Sequence, residues 1–278
     1  MFENITTIDG KTMRCAKFED QREAREKIRP MCSKEGGMYD GWRTSWLGIS
    51  RAECFKSFET GDLSTVPQSD KMLAALEDKF DFPTSRYKVF DDVAGGVPNI
   101  PAVLACQPIS MRVRRRTADD AAPLTICIDL TSSADIDPEY LVKRGTAILA
   151  LARILSSLRP VTIWLGAGLS GGGKADGTSA WFQIDSAPLD LARAAFQISS
   201  GGVPRGMLYT FLQKQFGCGG GWPMYDVDRW RRMAPRFLTH WFEGEILFVP
   251  PVFTTDDFKK PEVWLERMVK QYGGRGEE

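Results

Sequence analysis

ICIDLTSSADID (126–137) is the stretch on which the fold turns. It ends a short apolar run, Leu124–Ile128, whose length and β-branched content suit a strand buried on both faces. Behind it, Asp129, Thr131 and Ser133 alternate at the strand's C-terminal end. Asp137-Pro138 then offers an N-cap followed by proline at the first helical position. Leu141, Gly145, Ile148, Ala152 and Leu155 recur at helical spacing, with Lys143, Arg144 and Arg153 read as lying off that stripe. Arg159-Pro160 stops the helix, and VTIWL (161–165) reads as the next strand. Strand, helix and strand in so short a span make a βαβ unit.

Working outward, Trp181–Ile184 and Glu245–Val249 read as further strands. Helices are expected at Leu189–Ser199, at 204–216, from Asp226 with a break at Pro235, and at Pro261–Tyr272. The C-terminal part, 121–278, is therefore expected as an α/β domain, its largely parallel sheet holding 124–129, 161–166 and 245–249 and flanked by helices. The first 120 residues carry weaker signals: a charge-dense helix over Phe18–Ile28, a capping box at Ser50 and Glu53, and a helix at Ser69–Phe80. Residues 1–120 are expected as an irregular, partly helical extension packed on the main domain.

Composition narrows the function. The chain has 278 residues with 36 basic and 36 acidic side chains, so no global charge points to nucleic acid. The longest apolar segment, Thr146–Leu155, falls short of the roughly 20 residues a membrane span needs. No apolar leader follows Met1, so a cytoplasmic protein without a membrane partner is expected (host cytoplasm if phage-encoded). The six cysteines form no C-x-x-C pair and read as reduced, packed thiols. A single histidine, His240, argues against zinc sites and triads.

GLSGGGKA (168–175) fits the G-x-x-x-x-G-K core of a phosphate loop. The mechanism fails there: Ala175 replaces the magnesium-binding Ser or Thr, and a turn and strand follow where a helix must start. It reads as a glycine-rich hairpin, and no nucleotide is expected.

Asp129, Thr131 and Ser133 are the better candidates, because ligands of open α/β sheets bind at strand ends and hard divalent cations take such oxygen ligands. Their D-x-T-x-S spacing resembles the metal-ion-dependent adhesion site of von Willebrand factor A domains, over roughly residues 121–270. That resemblance implies an interaction protein that is not an enzyme, holding magnesium or manganese and capturing a protein partner. It also asks for a second-loop threonine and a later aspartate. Thr178 is a weakly placed counterpart of the first, and Asp256, near Thr254 and Asp257, stands for the second. The whole chain also resembles uncharacterised proteins of phages and mobile elements, which implies no activity. A bland reading stays open, in which Asp129 and its hydroxyls only prepare the next helix. So does a metal-dependent phosphoesterase using Asp129 with Asp135 and Asp137.

The alternative function is a nucleic-acid-binding accessory factor. MRVRRR (111–116) gathers Arg112, Arg114, Arg115 and Arg116, and DRWRRMAPRF (228–237) adds Arg231 and Arg232. The alternation of Arg112, Val113 and Arg114 also fits an edge strand with a charged face.

Overall fold

Leu124, Ile126 and Ile128 sit in one apolar cluster while Cys127 sits in another, the two-sided burial of a central strand. The computed structural model of the protein describes residues 2–6, 12–32, 44–77, 87–94, 97–116, 122–170, 177–184, 189–217 and 237–272. Strands β1 (Phe2–Thr6) and β2 (Thr12–Phe18) come first, then helices α1 (Gln21–Cys32), α2 (Thr44–Leu47), α3 (Arg51–Thr60) and α4 (Val66–Glu77). A small unit follows with β3 (Tyr87–Asp92), β4 (Val97–Pro98), α5 (Ile100–Leu104) and β5 (Met111–Arg116). Next come β6 (Leu124–Asp129), α6 (Pro138–Leu158), β7 (Val161–Ser170), β8 (Gly177–Ile184) and α7 (Leu191–Ser199). A π-helical segment (Gly202–Leu208), α8 (Tyr209–Phe216), β9 (Glu245–Val249) and a last helix (Pro261–Tyr272) complete the described elements.

The main sheet has six strands in the order β1-β2-β8-β7-β6-β9. β6 pairs in parallel with both β7 and β9, which is the expected three-strand centre of an α/β domain. β8 returns antiparallel to β7, pairing as far as Ser170 with Gly177, and residues 171–176 of the glycine-rich stretch lie outside the described residues. Gly166 is required there: a Cβ would lie 2.2 Å from the Trp181 ring of β8. α6 covers the Ile126 face and is itself packed against α4, α7 and the last helix. On the Cys127 face, Met13, Cys15, Trp164 and Trp181 meet Phe237, Leu238 and Phe242. Among the described residues, no helix is long and apolar enough to cross a membrane.

Three local expectations change. The first 120 residues are not merely an extension, because β2 runs parallel to β8 and β1 pairs with β2 in the same sheet. Their alternation is masked by charge: Met13 and Cys15 face one cluster, Ala16 and Phe18 the other, with Arg14 and Lys17 between them. β5 is the middle strand of a separate sheet, β3-β5-β4, and not an edge. Asp137 has the extended backbone of an N-cap, yet its side chain makes no capping bond.

Candidate functional site

The strand-end corner is built by backbone continuing beyond the sheet. Asp129 lies opposite Gly166, and the Leu130 N–H donates to the Gly166 carbonyl at 2.7 Å. The Val252 N–H then donates to the Thr131 carbonyl (3.0 Å) and the Ser133 N–H to the Val252 carbonyl (2.9 Å). The loop after β9 is thereby drawn beside the loop after β6. Asp129 is 0% exposed, and its Oδ1 accepts the Thr131 N–H at 2.9 Å in an Asx turn. Thr131 is also buried, its Oγ1 accepting the Gly168 N–H at 2.8 Å. Half-buried Ser133 accepts the Asp135 N–H on its Oγ at 3.4 Å.

Two buried arginines brace this loop. Arg144 reaches from α6, its Nη2 donating to the Asp129 carbonyl (2.9 Å) and the Pro250 carbonyl (2.7 Å). Its guanidinium lies 5.5 Å from the Phe258 ring centre. Burial pushes Arg144 down to about 10, against the opposing pull of Asp129, Asp257 and Tyr140, so it remains a cation at neutral pH.

Arg205, in the π-helical segment, is 0% exposed. Its Nε donates to Ser132 Oγ (3.1 Å), its Nη1 to the Trp46 carbonyl (2.8 Å), and its Nη2 to the carbonyls of Ser133 (2.7 Å) and Ile136. The Trp46 ring lies 5.0 Å from this guanidinium, and its Nε1 donates to the Ala134 carbonyl at 3.1 Å. Tyr209 Oη accepts the Ser132 N–H at 3.0 Å. On the far side, Tyr140 Oη donates to the Thr255 carbonyl (2.6 Å) and accepts the Phe258 N–H (2.7 Å).

The structure thus brings Asp129, Thr131 and Ser133 onto one loop. Asp256 is exposed, and its carboxylate meets Lys259 Nζ at 3.3 Å; Asp257 instead caps the turn through the N–H groups of Phe253 and Thr254. Thr178 is buried within β8. Asp135, Asp137 and His240 are exposed. Among the described residues, no three His, Cys, Asp or Glu side chains gather as a metal-holding group. Arg112 is exposed, 3.8 Å from Asp91, and Arg114, Arg115 and Arg116 continue β5. Lys174, Arg231 and Arg232 lie outside the described residues, as does the helix expected from Asp226.

Sequence reasoning missed both braces. Position 144 falls three after Leu141 and four before Ile148, the spacing that shares a helix face, so Arg144 belongs on the buried stripe and not off it. Arg205 gave a weaker signal, a lone cation in the otherwise uncharged GVPRGML.

A family profile described as Domain of unknown function (DUF7192) matches residues 10–239, most of the chain, and the protein belongs to that family. No curated protein and no solved structure matches it.

Proposed function

We propose that the chain is a non-enzymatic interaction protein of von Willebrand A-like architecture that receives a protein partner at the corner formed by residues 129–137 and 252–258. The position of β6 between parallel β7 and β9, with the D-x-T-x-S motif at its end, is in keeping with that architecture. The burial of Asp129 carries the functional part of the reading. A carboxylate with no exposed surface offers a substrate no base or nucleophile, whereas a loop braced from both sides presents a fixed shape.

Magnesium or manganese would draw on Asp129, Thr131 and Ser133, with Asp256 completing the set. These donors fit a hard divalent ion poorly. Asp129 is the one carboxylate of the motif and already stands in the field of Arg144. Asp129 Oδ1 and Thr131 Oγ1 are engaged by backbone N–H groups, and Asp256 is paired with Lys259. The guanidinium supplies the positive charge that an ion would bring. What the loop after β6 shows to solvent is acidic, with Asp135, Asp137 and Glu139 exposed, while Asp256 across from it is paired with Lys259. The partner accordingly contributes basic side chains, and no ion bridges the two.

Photo-crosslinking in expressing cells tests this. A benzophenone amino acid at Thr255 is expected to give a discrete protein adduct that disappears when Asp135 and Asp256 become lysine. The same probe at exposed Lys71 of α4 is expected to give none. Equal adducts from both positions, or an adduct indifferent to the lysines, would reject the corner as the docking site.

A further inference from the structure

Nine large hydrophobic side chains are markedly exposed among the described residues, and six of them fall between Val93 and Ile109. They are Val93, Val97, Ile100, Val103, Leu104 and Ile109, with Leu104 the most open at 79%. Ile100, Val103 and Leu104 stand at i, i+3 and i+4 on α5 and so share a face. Two backbone bonds fold the segment back on itself, Asn99 N–H to the Ser110 carbonyl (2.8 Å) and Gln107 N–H to the Ala102 carbonyl (2.9 Å). The pairing of Val97 with Arg112 and Pro98 with Met111 ties the patch to β5. An apolar cluster of this kind on a water-facing surface marks a contact site.

Charge says what it contacts. Residues 87–116 hold Lys88 and four arginines against Asp91 and Asp92, an excess of positive charge in a chain whose charges balance overall, although Asp91 lies 3.8 Å from Arg112. Strand β5 carries these arginines along its backbone, and the described one, Arg112, is exposed. The occupant must be anionic and must also bury several aliphatic groups at once. A DNA duplex takes an apolar wedge or two at a base step and would leave most of this patch in water. An anionic bilayer offers both, headgroup phosphates for the guanidinium groups and an acyl boundary for the aliphatic side chains.

We propose that the 93–116 unit is a peripheral docking surface for anionic phospholipid membranes. The absence of a spanning helix among the described residues concerns crossing a bilayer and not adsorption to its surface.

Co-sedimentation with phosphatidylcholine vesicles, with and without phosphatidylserine, is the test, run beside anisotropy with a labelled DNA duplex. The full chain is expected to sediment with the phosphatidylserine vesicles and to be released by salt. Ile100→Asp with Leu104→Asp is expected to weaken binding by about ten-fold or more, with an unchanged melting temperature because both positions are exposed. Arg112→Ala is expected to cost about five-fold, on phosphatidylserine vesicles only. No sedimentation with either vesicle would overturn the proposal. So would aspartate variants that bind like the wild type, and so would binding to the duplex alone.

Discussion

At the scale of single residues, the corner depends on two buried cations, Arg144 and Arg205, whose hydrogen bonds run to carbonyl and hydroxyl oxygens. Arg205 spends its donors on one hydroxyl and three carbonyl groups, those of Trp46, Ser133 and Ile136. Methionine in its place would fill much of the volume and remove all four of these hydrogen bonds. The expected loss for Arg205→Met is about 3 kcal/mol, read from the urea midpoint at unchanged slope; a variant as stable as the wild type would remove the brace from the account. The buried thiols make a second prediction. Burial pushes Cys15 and Cys54 up to about 12 from an ordinary value of 9.0, and raises Cys127 as well. The folded chain keeps these protons after the unfolded chain has lost them. Their contribution to stability is therefore whole below about pH 9 and declines as pH rises from there toward about 12. Unfolding curves across that window should fall less steeply for Cys15→Ala with Cys54→Ala than for the wild type. Parallel slopes would show that these thiols do not set the alkaline loss.

Among the elements, what could be read early was what is locally encoded. The Ser50–Glu53 capping box starts α3, with Ser50 Oγ accepting the Glu53 N–H at 3.3 Å. The apolar runs of β6, β7 and β9 announced their strands because burial on both faces leaves few polar residues within them, Thr125 in β6 and Thr162 in β7. β2 was not legible, because Arg14 and Lys17 interleave its buried positions and its partner β8 is far away in sequence. Asp137 misled for another reason: proline at the next position sets the helix start without a side-chain cap. Helix crossings are equally invisible to local pattern. Gly145 of α6 touches α7 so closely that a Cβ would lie 2.4 Å from Ser199 Oγ and 2.5 Å from Ser199 Cα. Alanine gains about 1 kcal/mol in helix propensity, but the clash is with backbone and costs about 1–3 kcal/mol. Gly145→Ala should therefore lower the melting temperature; a rise would mean that the two helices separate at little cost.

For the molecule as a whole, the candidate site was legible in its loop and not in its surroundings. Asp129, Thr131 and Ser133 follow from one strand end, and the parallel centre of the sheet follows from three apolar runs. Arg144, Arg205, Tyr209 and Trp46 reach the same loop from separate segments, and only the packed chain puts them there. They put a guanidinium in the field of the carboxylate that an ion would need, which is the ground for proposing a corner without a metal. The central claim is that this corner is braced by arginine and works without a metal. Titration calorimetry with magnesium and with manganese, on the wild type and on Asp129→Asn, addresses it directly. No saturable heat is predicted for either protein; a saturable heat in the wild type that vanishes in Asp129→Asn would contradict it.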